Sequence, residues 1–275
     1  MKKFTLFLMA GAMIAMSSCG GNKKKAAAVE ANPEESFEVQ QLEAHIQMQL
    51  DSIAAIFTSK AGDPFLAAVK QGKVELSENE KMLKPSYLAN PESAAGLTTL
   101  AQKYRALAIF AVDSHIAALY EMPDEAYKSA VAKLASDIND PALKKFLEAQ
   151  SNENILDNYN ATVNSLYKDE VKNGRVCLFW EMNGALAIES LYIMSQNIDK
   201  FMTVITDEDA ANLTFRLFLA KQSVDQLVAY YPELESMSKS LSALDVLNAM
   251  DAAQFKSQLT EMKGQLEVIR NGLLK

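Results

Sequence analysis

Four side chains that could support acid–base or metal chemistry interrupt two otherwise apolar stretches of the sequence. They are Asp113, His115, Glu181 and Glu189. If each stretch is a helix, it is hydrophobic on every face and must lie at the centre of the fold. A carboxylate buried there is costly unless it is paired, hydrogen-bonded or protonated. Carboxylates and an imidazole gathered in one place suit a divalent cation or proton transfer.

The spacing of the two glutamates decides whether they can share a site. Glu181 and Glu189 are two four-residue steps apart, so their side chains differ by only about 80° around a helix. They could line one edge of a cleft that Asp113 or His115 faces from a neighbouring helix. The alternative is a structural network in which arginine and tyrosine side chains bind each acid, and the sequence favours it. The candidate partners are Arg105, Arg175, Arg216, Tyr104, Tyr167 and Tyr192.

Neither histidine belongs to a catalytic or zinc-binding motif. His45 and His115 are the two histidines of the chain, and neither stands in HxxxH, HExxH or ExxH spacing. The sequence also lacks a glycine-rich phosphate loop and a GxSxG elbow. Cys177 lies in the apolar segment VCLFW, where burial makes a thiol unreactive. We therefore predict no catalytic residue and no cofactor, leave a metal open, and favour a protein that is not an enzyme.

The elements that must position these side chains are helices. Glycine and proline are sparse after residue 35, and no apolar and polar alternation is long enough to predict a strand. The predicted helices span about 36–60, 64–71, 91–122, 124–138, 141–149, 153–171, 175–203, 207–230, 232–247 and 252–275. The fold class is therefore all-α, a multi-helix bundle or helical array of about nine to ten helices. Two central apolar helices contain the candidate site, and residues 36–275 form a single domain.

Local signals indicate where several helices begin. Asn90 before Pro91, Thr206 before three acids, and Asp251 are each predicted as helix N-caps. Residues 72–90 are interpreted mostly as loop. Apolar residues recur through the last helix at alternating steps of four and three, which predicts packing against another helix of the domain, with a dimer as the alternative. Gly184 is predicted to permit close helix approach.

The N-terminus has the layout of an export signal. Lys2 and Lys3 precede an uncharged, mainly apolar run of thirteen residues, 4–16, and the small residues Ser17 and Ser18 precede Cys19. Because a helix needs roughly 20 apolar residues to span a bilayer, a cleaved signal peptide is favoured over a transmembrane segment. Residues 1–18 are therefore predicted to be removed, and residues 19–35 have the composition of a flexible tether.

The segment Met16-Ser17-Ser18-Cys19 resembles the bacterial lipobox. It departs from the usual pattern by Met in place of Leu and by Ser in place of Gly or Ala before the cysteine. The resemblance implies that Cys19 carries a covalent lipid and becomes the mature N-terminus. Two or three acyl chains would then hold the protein durably on a membrane. The alternative is an ordinary secretory signal with an incidental cysteine.

Composition and charge exclude several classes of protein. Hydrophobic residues make up 49% of the chain and the mean hydropathy is near zero, values that fit a globular protein. Removing Lys2 and Lys3 with the signal peptide takes the net charge from −8 to −10. No nucleic-acid partner is predicted, because phosphate binding needs a clustered basic surface.

Three segments of the chain resemble uncharacterised all-helical lipoproteins of Bacteroidetes-type bacteria. They are Lys84-Pro85-Ser86-Tyr87-Leu88, Gln102-Lys103-Tyr104-Arg105-Ala106-Leu107 and the helix from Trp180 to Tyr192. The resemblance covers most of the mature domain and implies a lipid-anchored protein of the cell envelope. In that group, surface export is associated with acidic residues just after the lipidated cysteine. Residues 20–25, which read GGNKKK, depart from that pattern. We therefore expect the outer membrane and its periplasmic face, with surface exposure as the alternative.

Together these observations predict a membrane-anchored lipoprotein that acts as a non-enzymatic accessory or binding protein of the cell envelope. Its expected partners are the membrane, reached through the lipid on Cys19, and an envelope protein or a small ligand. The alternative function is a receptor for a small ligand or divalent metal. That receptor would use the buried acids and histidine between the central helices, namely Asp113, His115, Glu181 and Glu189.

Overall fold

A computed structural model describes residues 33–150 and 155–275 of the chain, with side chains described for residues 44–150 and 158–275. The predicted signal peptide, Cys19 and most of the predicted tether lie outside the described residues. The first helix already begins at Pro33, which is three residues before the predicted start of the domain. Among the described residues no helix is both long and apolar enough to cross a membrane.

The described residues form twelve α-helices and no β-strand, which confirms the all-α prediction. The helices are α1 (Pro33–Ser59), α2 (Pro64–Lys70), α3 (Glu78–Met82), α4 (Leu100–Leu119), α5 (Glu125–Ile138), α6 (Pro141–Gln150), α7 (Ile155–Lys172), α8 (Val176–Gln196), α9 (Ile198–Phe201), α10 (Asp207–Leu227), α11 (Glu235–Ser242) and α12 (Ala252–Leu273). Short 3₁₀ turns span Pro91–Gly96, Met202–Val204 and Pro232–Leu234. Ten of the α-helices have seven residues or more, in agreement with the predicted nine to ten.

Two predicted N-caps are confirmed by hydrogen bonds at the helix ends. The Thr206 hydroxyl accepts from the backbone N–H of Asp209 at 3.2 Å. In return, the Asp209 carboxylate accepts from the backbone N–H of Thr206 at 3.0 Å, which completes a capping box at the start of α10. The Asp251 carboxylate accepts from the backbone N–H of Gln254 at 2.8 Å and caps α12. These helices begin where local hydrogen bonding satisfies their free N–H groups.

Asn90 is an N-cap as predicted, since its side chain accepts from the backbone N–H of Glu92, but the prediction that the long helix begins there is wrong. Asn90 caps only the 3₁₀ turn 91–96, and α4 begins nine residues later than predicted, at Leu100. The reason is a second capping box, in which Thr99 accepts from the backbone N–H of Gln102 at 3.2 Å and Gln102 accepts from that of Thr99 at 2.9 Å. A further capping box, between Ser77 and Glu80, opens the short helix α3 inside the segment interpreted as loop.

Two predicted helices end earlier than their sequence pattern indicates. The helix predicted for 175–203 stops at Gln196, because Asn197 leaves the helical region with φ −133° and ψ 60°. The chain continues as α9 and a 3₁₀ turn. The helix predicted for 232–247 is helical in its first half only, and after Ser242 it continues through tighter turns to Leu247.

The central position of the two apolar helices is confirmed. Helix α8 buries eighteen of its twenty-one residues, and α4 buries twelve of its twenty. These two helices pack on each other, and α8 also contacts α7, α10 and α12. Aromatic rings fill the core beside them, with Trp180 in edge contact with Phe57 at 5.1 Å and with Phe179 at 5.1 Å between ring centroids. Polar side chains on α4 and α8 therefore face protein on most sides.

Close packing around α8 explains two further features of its sequence. A Cβ atom added at Gly184 would lie 2.7 Å from the sulfur of Met237, so glycine allows α11 to approach α8, as predicted. Cys177 is buried, and burial raises the pKa of its thiol to about 12. The buried positions of α12, among them Phe255, Leu259 and Leu266, pack against α8 within this chain, so the intramolecular partner is confirmed.

Candidate functional site

The structure brings Asp113 and Glu189 together around Arg270 of α12. The Arg270 guanidinium donates from Nε to Glu189 Oε2 at 2.9 Å and from Nη2 to Glu189 Oε1 at 3.2 Å. The same Nη2 donates to Asp113 Oδ2 at 3.3 Å, and this oxygen also accepts from the backbone N–H of Ala89 at 2.8 Å. All three charged side chains are buried, so this cluster links α4, α8 and α12 in the core.

This cluster contains one guanidinium and two carboxyl groups. Its charges balance when one of the two carboxyl groups is protonated and therefore neutral. Burial raises the pKa of Asp113 well above its ordinary value, and the nearby charge of Glu189 raises it further. Burial also raises the pKa of Glu189, but Arg270 opposes that effect. Oδ1 of Asp113 has no donor in the described part of the chain. A proton on Asp113 can be donated to Glu189, which leaves a single buried ion pair between Glu189 and Arg270.

Glu181 lies apart from this cluster, with an arginine of its own. Arg105 donates from Nη1 to Glu181 Oε2 at 3.2 Å and from Nε to the backbone carbonyl of Leu273 at 3.1 Å. Burial raises the pKa of Glu181 to about 7, although the charge of Arg105 acts in the opposite direction. Eight residues of helix place Glu181 about 12 Å along the axis from Glu189. The two glutamates therefore occupy separate sites, each paired with an arginine.

The four candidate residues do not meet at one metal centre. His115 is two residues from Asp113, so it points about 200° away around α4, and it lines a cavity on the other side of the helix. Among the side chains described, those of residues 44–150 and 158–275, no group of three or more His, Cys, Asp or Glu is placed to hold a metal ion. The three acids are each bound by an arginine, which is the arrangement that the sequence favoured over a cleft. Arg270 binds Asp113 and Glu189, and Arg105 binds Glu181.

A third buried cluster includes an acid that the sequence analysis missed. The Tyr104 hydroxyl lies 3.0 Å from Asp140 Oδ2 and 3.2 Å from Glu170 Oε1, and Arg175 donates to Asp140 Oδ2 at 2.6 Å. Burial, and then the charge of Asp140, raise the pKa of Glu170 to about 8. A sequence signal existed, because Glu170 continues the buried face of α7 at three residues after the buried Tyr167.

Arg216 is a buried cation without a carboxylate partner in the described part of the chain. Its Nη1 donates to the backbone carbonyl of Gly62 at 3.1 Å, and its guanidinium lies over the Phe57 ring at 5.3 Å from the centroid. Burial lowers the pKa of Arg216. This residue fastens α10 to the turn between α1 and α2, which forms one end of the cavity wall.

A cavity of about 1480 Å³ lies between α2, α4, α5, α6, α7 and α8, and the end of α1 and the start of α10 complete its wall. Its apolar wall includes Leu107, Ala111, Val112, Val131, Met182 and Leu186. The volume exceeds the ~300–1,000 Å³ of pockets that hold drug-sized ligands. Exposed lysines, Lys60, Lys128 and Lys144, lie among its lining residues, so the cavity opens to solvent. No sequence signal marked this space, because residues from eight helices form it.

Two basic side chains line the cavity from helices that contact each other, Lys70 at the end of α2 and His115 on α4. Burial, and then the positive charge of Lys70, lower the pKa of His115 to about 4. Lys70 is still exposed, yet the surrounding walls remove enough water to lower the pKa of its ammonium group as well. Neither side chain has a hydrogen-bond or ion-pair partner among the residues that the structure describes. At neutral pH this part of the wall therefore presents one cation beside one neutral imidazole.

No family model, no curated protein and no solved structure matches this chain.

Proposed function

We propose that this chain is a lipid-anchored protein of the bacterial cell envelope that binds a small ligand in the cavity and catalyses no reaction. The observation that carries the proposal is the cavity itself, which combines about 1480 Å³ of space with an apolar wall and unpartnered polar groups. Such concave, mainly apolar spaces with a few converging polar groups are the usual form of ligand sites.

The buried acids are poorly suited to be the ligand site. Glu189 and Glu181 are each bound by an arginine, and Asp113 already accepts two hydrogen bonds at Oδ2. A ligand would have to displace these partners in the core, which would leave an unpaired buried charge. His115 is the one candidate residue of the original four that lines the cavity.

Ligand binding is tested with a neutral dye, N-phenylnaphthylamine, whose fluorescence rises in an apolar site. The measurement uses the full chain carrying Cys19→Ser, so that no acyl group binds the dye. Ala111 lines the cavity on α4, whereas Ala118 is exposed on the same helix and does not line it. We expect Ala111→Trp to fill part of the cavity and weaken dye binding about tenfold, and Ala118→Trp to leave it unchanged.

Two results would contradict ligand binding in the cavity. One is the absence of any fluorescence increase with the parent chain beyond that of a heat-unfolded sample. The other is equal dye binding by the Ala111→Trp and Ala118→Trp variants, which would place the dye elsewhere.

The membrane anchor is a separate part of the proposal, supported by the lipobox-like residues 16–19. The lysines at positions 23–25 support the periplasmic face of the outer membrane, because acidic residues at this place are associated with surface export in similar lipoproteins. Mass spectrometry of the mature N-terminus is expected to show a peptide that begins at acylated Cys19. An unmodified peptide that begins at another residue would overturn the anchor. A Cys19→Ser chain, which cannot be acylated, is expected to yield no acylated N-terminal peptide in the same measurement.

A further inference from the structure

Among the four lysines that line the cavity, Lys70 alone has no hydrogen-bond or ion-pair partner in the described part of the chain. Lys60 donates to Asn212 at 2.9 Å, Lys128 pairs with Asp124 at 2.8 Å, and Lys144 lies 3.9 Å from Glu148. No carboxylate of the described chain lies within ion-pair distance of Lys70. The positive charge at the end of α2 is therefore free to bind a ligand.

The acids of the wall are mostly occupied by protein donors. Asp63 caps α2 by accepting from the backbone N–H of Leu66 at 3.0 Å. Asp140 is held by Arg175 and Tyr104, and Asp209 belongs to the capping box of α10. Glu208 stands in the first turn of α10, where the positive end of the helix dipole favours a carboxylate. The wall thus offers an uncompensated cation and few free acceptors for a cationic ligand.

His115 supplies a second polar group beside Lys70. Its imidazole lacks a hydrogen-bond partner in the described part of the chain, and a neutral imidazole can donate one hydrogen bond to an anion. An anion bound between Lys70 and His115 would accept from both side chains, and its hydrogen bond with the ammonium group would be charge-assisted.

The remainder of the cavity suits an apolar chain. Leu107, Ala111 and Val112 lie on the same helix as His115, and Val131 and Leu186 face the cavity from α5 and α8. Burying methylene groups against such a wall adds affinity in proportion to chain length. The large volume accommodates a chain longer than a typical drug-sized ligand.

We propose that the ligand of this cavity is a long-chain carboxylate whose head group binds Lys70 and His115 and whose acyl chain lies on the apolar wall. This inference rests on the proposed ligand-binding function and names its ligand class. The positive charge of Lys70 favours binding of an anionic amphiphile over a neutral or cationic amphiphile of the same length.

The test compares laurate, dodecanol and dodecylamine as competitors that displace N-phenylnaphthylamine from the Cys19→Ser chain, each below its aggregation concentration. We expect laurate to displace the dye at about tenfold lower concentration than dodecanol, and dodecylamine to be the weakest. Lys70→Met is expected to remove the preference for laurate while dye and dodecanol binding stay the same. Lys73→Met changes an exposed lysine that does not line the cavity and serves as the matched control.

The outcomes separate this inference from the function on which it rests. Failure of the dye to bind the parent chain contradicts the ligand-binding function itself. Dye binding with equal displacement by laurate and dodecanol contradicts the carboxylate ligand only, and so does an unchanged laurate preference in Lys70→Met.

A second readout needs no variant of the site, because the chain has two histidines and their titrations are easily resolved by NMR. The charged groups that face His115 are Lys70, Lys128 and Asp124. Bound laurate adds a negative charge beside them and is expected to raise the pKa of His115, whereas bound dodecanol is not. A His115 titration unaffected by laurate at saturating dye displacement would place the carboxylate elsewhere and overturn the inference.

Discussion

Arg270 binds Glu189 through two parallel hydrogen bonds, from Nε to Oε2 at 2.9 Å and from Nη2 to Oε1 at 3.2 Å. The two residues are 81 positions apart in the chain, and this pair ties the last helix, α12, to the central helix, α8. Glu189 is fully buried and Arg270 is 4% exposed. Bidentate pairing of this kind is the strongest arrangement of arginine and carboxylate, and both charges depend on it inside the core.

Arg270→Met is expected to destabilise the fold strongly, because it leaves Glu189 and Asp113 buried without a counter-charge. We expect the free energy of unfolding to fall by about 3–5 kcal/mol, measured by denaturant unfolding at neutral pH. Lys263→Met, at an exposed position of the same helix, is expected to change it by less than ~0.5 kcal/mol. Similar stabilities for the two variants would show that Arg270 does not neutralise the buried acids.

Asp113→Asn tests whether Asp113 carries the proton of the cluster. An amide resembles a protonated carboxyl, since it can accept from Ala89 and Arg270 and donate to Glu189. We expect a change of less than ~1 kcal/mol in the free energy of unfolding. Glu189→Gln removes the charged partner of Arg270 and is expected to cost about 2–3 kcal/mol in the same assay. Equal losses of stability in the two variants would show that Asp113 does not carry the proton of the cluster.

Glu170→Gln tests the pH dependence of the cluster around Tyr104. The pKa of Glu170 rises from its ordinary 4.5 to about 8 in the folded protein, so the folded state holds this proton more tightly than the unfolded state. Its contribution to stability is therefore complete below pH 4.5 and is lost as the pH rises through about 8.

Because glutamine stays neutral, the variant should match the parent near pH 5 and exceed it by roughly 1–3 kcal/mol near pH 9. Denaturant unfolding at the two pH values checks this expectation. A difference between variant and parent that does not grow with pH would be inconsistent with a protonated Glu170.

Gly184→Ala tests the close approach of α11 to α8. Alanine is worth up to about 1 kcal/mol over glycine inside a helix, but here its Cβ would meet the Met237 sulfur at 2.7 Å. We expect a net loss of about 1 kcal/mol, because overpacking a full core costs more than the helix propensity gains. Gly264→Ala on α12, where nothing lies within 4 Å of the added atom, is expected to gain about 0.5–1 kcal/mol. Equal gains in the free energy of unfolding at both positions would mean that the Met237 side chain moves away from the added methyl group at no cost in stability.

The sequence alone was enough to predict the helical class and several helix ends, because these depend on residues a few positions apart. Thr206 and Asp251 cap helices through atoms three residues away, and the Thr99 capping box is just as local although the stronger Asn90-Pro91 signal masked it. The apolar composition of α4 and α8 was likewise enough to place them in the centre. Even the separation of His115 from Asp113 follows from helix geometry, since two residues turn a side chain to the opposite side.

Only the tertiary structure decided which partner each buried acid has and where a ligand could bind. Arg270 pairs with Glu189 across 81 positions of the chain, and Arg105 pairs with Glu181 across 76. No local sequence pattern encodes pairing over such distances. The cavity is bounded by residues of eight helices, so its position and its unpaired Lys70 depend on how those helices pack. Local hydrogen bonds and hydrophobic periodicity determine the elements, whereas charge pairing and cavities arise from the packing between them.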